Sequence, residues 1–121
     1  MNRVEIGRWG EGQAEAEYLR RGFRVVARNF RVRPYEMDLI LENGVYLVFC
    51  EVKTRRSNQY GLPGEAVTLT KQRHLLNVAS FYLSQHPTSL QPRMDVCEVW
   101  YSGRNEPVLR RIHIIENAFG E

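Results

Sequence analysis

Apolar positions along the chain fall into two kinds of pattern. Between Gly7 and Arg21 they recur at helical spacing. Ala14, Tyr18 and Leu19 form one stripe, Arg20 and Arg21 suit a last turn, and Gly22 is a natural residue to follow a helix end. Phe23 to Phe30 alternates and is rich in Val and Phe, which predicts a strand. Glu36 to Leu41 and Val45 to Lys53 are two more strands, and the Asn43-Gly44 dipeptide between them predicts a tight type I′ hairpin. Ser57 to Gly64 has loop composition. Thr70 is placed to cap a second helix running to about Ser84, with Leu75, Leu76, Ala79, Tyr82 and Leu83 on its inner face. After a turn-rich connector from His86 to Pro92, Arg93 to Tyr101 and Val108 to Ile115 close the pattern as strands. The predicted order is αβββαββ, a mixed α/β fold with a central sheet flanked by helices.

Composition narrows this picture. A chain of 121 residues suits one domain, 1–121. No apolar run is long enough to span a bilayer and the first residues lack a signal-peptide core, so a cytoplasmic protein is expected, with no membrane partner. Cys50 and Cys97 lie far apart in apolar strands, which predicts buried free thiols. The net charge of +3 says little alone, but 15 of the 17 basic residues are Arg, and only Lys53 and Lys71 are Lys. Arginine's planar fork suits phosphate, although a coding bias toward Arg would give the same count.

The hairpin is where chemistry concentrates. With Asn43 and Gly44 at the turn centre, Glu42 pairs with Val45, Asp38 with Phe49 and Glu36 with Glu51. Alternation then places Glu36 and Asp38 on one face with Phe49, Glu51 and Lys53. Asp38 and Glu51 become diagonal neighbours, roughly 7–8 Å apart, close enough to share one hard cation. Val45-Tyr46-Leu47-Val48-Phe49-Cys50 is apolar on both faces, as in a central strand. Glu51 and Lys53 emerge at its end, where charge is costly unless paired or metal-bound. A structural Glu51–Lys53 ion pair is the alternative reading.

Asp38, a hairpin, then Glu51-Val52-Lys53 resembles the D…(D/E)XK pattern of the restriction-endonuclease-like superfamily. The chain as a whole resembles the YraN-like family of bacterial proteins, themselves similar to archaeal Holliday-junction resolvases. The matching stretches are Gly10-Glu11…Ala14, Ala27-Arg28-Asn29-Phe30-Arg31, Glu36-Met37-Asp38-Leu39-Ile40, Val48 to Arg55, Glu65-Ala66-Val67-Thr68, Lys71-Gln72 and Met94-Asp95-Val96. The resemblance implies a restriction-endonuclease-like sheet and a Mg²⁺ ion, with Mn²⁺ as a substitute. Asp38, Glu51 and the Val52 carbonyl would hold it, and Glu11 would complete the set, with Glu15 a poorer substitute. Lys53 would orient or help deprotonate the attacking water, and the metal would stabilise charge on phosphate oxygens. The family usually has Gly where this chain has Tyr35, which could crowd the strand entry or stack on a nucleotide.

The expected function is metal-dependent hydrolysis of phosphodiester bonds in structured or damaged DNA, with branched DNA as a partner and a homodimer suggested by the resolvase likeness. The alternative is a nucleic-acid-binding module that keeps the fold without cleaving. Arg28, Arg31, Arg33, Arg55 and Arg56 flank the proposed site and could follow a phosphate backbone, or simply be solvated. Lys71, Gln72 and Arg73 open the second helix, whose N-terminus suits an anion, and helix-surface polarity explains them as well. Asp95, on an apolar strand, has no chemical role in this reading. His74, His86 and His113 lack metal-ligand spacing, and Trp9 and Trp100 read as core or rim aromatics.

Overall fold

The computed structural model describes residues 1–59 and 67–120. The chain runs α1 (Arg3–Arg20), β1 (Arg24–Val32), β2 (Tyr35–Glu42), β3 (Tyr46–Arg56), a short 3₁₀ turn (Ser57–Gln59), α2 (Leu69–Gln85), β4 (Gln91–Ser102) and β5 (Val108–Ile115). This is the expected αβββαββ order. The five strands form one sheet in sequence order, with β3 and β4 parallel and every other pair antiparallel. A parallel pair needs a crossover, and α2 supplies it between β3 and β4.

Each helix covers one face of the sheet. Ala14 and Tyr18 of α1 pack against Leu39, Leu41, Val48, Cys50, Cys97 and Val99. Leu75, Val78, Ala79 and Tyr82 of α2 pack against Ile40, Leu47, Phe49, Met94 and Val96 on the other side. β3 therefore buries both its faces, which is why its sequence reads as a continuous apolar run. Both cysteines are buried and free. Burial pushes both thiols up, Cys97 to about 12, so neither is poised to react.

Helix ends differ from expectation for reasons of capping. Asn2 accepts from the Glu5 N–H at 2.9 Å, and the Glu5 side chain returns to the Asn2 backbone, a capping box that starts α1 at Arg3 rather than near Gly7. At α2 the cap is Thr68, whose hydroxyl accepts from the Lys71 N–H at 3.1 Å, not Thr70. Of the loop expected at Ser57 to Gly64, Ser57–Gln59 form the 3₁₀ turn, and residues 60–64 lie outside the described residues, as do Glu65 and Ala66.

The hairpin register is shifted by two from the expected one. Glu42 pairs with Leu47 and Leu39 with Cys50, so Gly44 and Val45 occupy the turn centre. The Asn43 side chain causes the shift. Its carbonyl oxygen accepts from both Val45 (2.9 Å) and Tyr46 (2.8 Å), an Asx turn in place of the type I′ turn, while Gly44 takes φ +90°. Continued by one pair, the register sets Asp38 opposite Glu51 rather than Phe49.

α1 lies close to the sheet at one position. A methyl group at Gly10 would sit 1.9 Å from the Thr54 Oγ1 of β3, so only glycine permits this approach. The next residue, Glu11, is thereby brought down beside the strand ends.

Candidate active site

Three elements bring carboxylates to one place. β2 contributes Glu36 and Asp38, β3 contributes Glu51, and α1 contributes Glu11. Oxygens of Glu11, Glu36 and Asp38 lie within 4.8 Å of one another. Glu51, Val52, Asp38 and Glu11 share the wall of a cleft of about 530 Å³.

The β2–β3 ladder stops at Leu39 and Cys50, and Asp38 takes over where it ends. Its Oδ2 accepts from the Val52 N–H at 2.8 Å, so the carboxyl occupies a position that a backbone carbonyl would otherwise fill. Strict alternation also breaks here. Tyr35 stacks on His74 of α2 and Met37 packs in the α2-side core, whereas Glu36 and Asp38 reach toward Glu11 of α1. Beyond the break, Leu39 packs on the α1 side and Ile40 on the α2 side. The expectation that Asp38 shares the face of Phe49 is therefore corrected. It meets Glu51 across the separating strand ends instead.

Asn29 of β1 lies beside this break. It is a non-glycine residue at φ +50°, a conformation that asparagine tolerates better than most side chains. Its amide donates to Glu11 Oε1 (3.1 Å) and to Glu36 Oε1 (2.9 Å). Arg8 in turn donates to the Asn29 side-chain oxygen. One asparagine thus ties the helix glutamate to the strand glutamate.

Electrostatics at the site are set by burial first and by like charge second. Burial raises the Asp38 carboxyl to about 9, Glu51 beside it and Glu11 adding to the rise while the Val52 N–H opposes it. At neutral pH Asp38 therefore keeps its proton, and a cation binding there would displace that proton. On the other side of Glu51, Lys71 of α2 places its Nζ 3.3 Å from Oε2.

The remaining expected contacts divide by partner. Arg28 is held by Glu15 in two hydrogen bonds of 2.7 and 2.9 Å, which pull the Glu15 carboxyl below its usual range. Arg31 donates to Glu36 at 2.9 Å. Arg55 is largely buried beside Glu98 and over the Trp100 ring. Arg56 lines the cleft, donates to the Gly103 carbonyl at 3.0 Å and lies over the Tyr101 ring. Arg33 and Arg73 are exposed, and Gln72 donates to the Val67 carbonyl at 2.9 Å. Lys53 is half-buried in β3, opposite Glu98 of β4. Asp95 is fully buried, taking two bonds from Arg93, one from the Tyr18 hydroxyl and one from the Asn117 N–H, so its work is structural.

Sequence reasoning did not pick out Asn29, Glu36, Arg3 or Arg104 as site residues. Arg3 and Arg104 line the same cleft as the acids. Glu36 was placed near Asp38 by the hairpin but given no role. Only a positive φ at Asn29 explains its part, and a lone asparagine in a strand does not announce one.

A model of the uncharacterised protein family UPF0102 matches residues 10–99. A UPF0102 protein of Caldicellulosiruptor saccharolyticus is 44% identical over 121 residues, covering 98% of this chain and 100% of that protein. One of Symbiobacterium thermophilum is 49% identical over 118 residues, covering 94% and 95%. Another, of Dehalococcoides mccartyi, is 42% identical over 122 residues, covering 99% and 97%.

Proposed function

The chain belongs to the uncharacterised protein family UPF0102, and from that premise we propose that it is a metal-dependent nuclease of the PD-(D/E)XK type, hydrolysing phosphodiester bonds in branched or damaged DNA. The observation that carries this reading is the convergence of Glu11, Asp38 and Glu51 from three separate elements on one cleft. Burying the Asp38 carboxyl among other acids is a cost to the fold, and a cation is what would offset it.

The donor set fits a hard divalent ion. It is made of carboxylate oxygens, Glu11, Glu36 and Asp38 within 4.8 Å of one another and Glu51 on the same cleft, with neither thiol nor imidazole, as Mg²⁺ or Mn²⁺ prefers. Asp38, Glu51 and the Val52 carbonyl would hold the ion, with Glu11 on the helix side. When bound, it would supply charge stabilisation to phosphate oxygens and lower the pKa of water. The chain's own residues do the rest. The Val52 N–H fixes the Asp38 carboxylate, and Asn29 fixes Glu11 and Glu36. Arg3, Arg56 and Arg104 give the cleft lining positive charge for the phosphate backbone. Lys53 balances charge at the scissile phosphate.

The test is a panel of four-way, nicked and linear DNA incubated with Mg²⁺ or Mn²⁺, comparing wild type with Lys53→Ala. Cleavage of at least one substrate, lowered about 10²-fold or more in the variant with binding kept, is the expected result. Equal DNA binding by both proteins, with neither cutting any substrate, would replace the nuclease with a non-cleaving binding module.

A further inference from the structure

Lys71 stands against the preference of its own helix. It occupies the third position of α2, after the Thr68 cap, where a capping box would put an acid and where the helix dipole disfavours a cation. The first turn of α2 contains no acidic residue to compensate. What Lys71 does meet is Glu51, Nζ to Oε2 at 3.3 Å, across from a helix to the end of a buried strand. Glu51 is buried while Lys71 is about half exposed, so the lysine can leave more readily than the glutamate. The chain has two lysines among its 17 basic residues, one in contact with this carboxylate, Lys71, and one two residues further along β3, Lys53.

We infer that Lys71 is a built-in counter-ion that holds Glu51 until a divalent cation displaces it, so that metal loading frees the ammonium at the mouth of the site. This rests on the proposed metal site and adds a regulated step to it. A single carboxylate oxygen cannot keep a close ammonium and a doubly charged ion together without repulsion between the two cations. Once displaced, the ammonium stays on its flexible stem within reach of an incoming phosphate, which supplies the anion it has lost. Metal and phosphate binding would then favour one another, because each removes a cost borne by the other. Lys71 acts here as a positioning residue. It tunes Glu51 and touches no reacting atom in this arrangement.

The scarcity of lysine makes the test direct. Protein labelled with ¹⁵N-lysine has two side-chain ammonium signals, and Lys71→Arg removes one and so assigns it. Titration with Mg²⁺ is expected to shift the Lys71 signal strongly, and to leave it in place in Asp38→Asn. In calorimetry, Lys71→Gln is expected to bind Mn²⁺ about three- to tenfold more tightly than wild type, the order expected when one competing unit charge leaves a carboxylate. Lys71→Arg, which keeps a cation, should behave like wild type. A Lys71 signal that does not move while wild-type protein takes up Mg²⁺, or unchanged or weaker Mn²⁺ binding in Lys71→Gln, overturns the inference and leaves the metal site standing. Wild-type protein that takes up neither ion removes both.

Discussion

Asp38→Asn should stabilise the metal-free protein at neutral and alkaline pH, although it removes the residue at the centre of the proposed site. An aspartate in the unfolded chain titrates near 3.9, whereas burial, Glu51 and Glu11 raise the folded carboxyl to about 9. Between those values the folded chain keeps a proton that the unfolded chain has released. Stability contributed by this group is thus fully present at low pH and is lost as pH rises, at up to about 1.4 kcal/mol per unit. By pH 7 the loss has a ceiling of about 4 kcal/mol. Asp38 is partly open to the cleft, so water screens it, and about 1–2 kcal/mol is the fair expectation. Asparagine matches the protonated acid in shape, keeps an oxygen for the Val52 N–H and carries no charge. Thermal unfolding without metal should place Asp38→Asn roughly 3–10 °C above wild type at pH 8, with the gap closing toward pH 4. Added Mn²⁺ should raise wild type and leave the variant unchanged. A variant less stable than wild type at pH 8, or a gap that does not change with pH, would refute the claim that the fold bears a cost for burying the Asp38 carboxyl among these acids.

Two further outcomes follow from packing. Gly10→Ala should cost about 1–3 kcal/mol in urea unfolding, because the methyl must displace Thr54, and it should weaken Mn²⁺ binding by moving Glu11 outward; an unchanged midpoint would mean that α1 has room to shift. Tyr18→Phe should cost about 1.5–3 kcal/mol, since the buried Asp95 loses a 2.7 Å bond from the hydroxyl; a loss below about 0.5 kcal/mol would show Arg93 and Asn117 to be sufficient partners.

The element order was legible because it follows from burial. β3 reads as a two-faced apolar run and α2 as a one-faced stripe, and each packs accordingly. Helix starts were less legible, because Asn2 and Thr68 act through local capping hydrogen bonds for which nearby residues such as Thr70 are equally suited by type. The hairpin shows how a local rule can fail without spoiling the larger conclusion. Asn43-Gly44 does make the turn, but the Asn43 side chain moves its centre by one residue and the pairing by two. The shift of two turns the expected diagonal neighbour into the direct one, so Glu51 comes to lie across from Asp38. The break at Asp38 was not legible at all. It goes with the left-handed Asn29 in the neighbouring strand, and no spacing rule reports a positive φ.

The treatment of acids elsewhere in the chain sharpens what is unusual at Asp38. Glu15 is met by Arg28, Glu17 by Arg20 and Arg21, and Glu42 by Arg24. The fully buried Asp95 receives Arg93, a hydroxyl and a backbone N–H. With 15 arginines available, pairing an acid is this sequence's ordinary solution. At Asp38 the neighbours are instead Glu11, Glu36 and Glu51. Arg8 reaches Glu11 at 3.4 Å and Arg31 reaches Glu36 at 2.9 Å, both from the exposed surface, while what Asp38 itself accepts from is the neutral Val52 N–H. Lys71 neutralises Glu51 alone, from an exposed and removable position. A fold that gives arginine or lysine partners to so many of its acids, yet leaves the Asp38 carboxyl facing other carboxylates, has kept a place there that suits positive charge. That asymmetry supports the metal reading more strongly than the Glu51-Val52-Lys53 tripeptide, which many unrelated strands could carry.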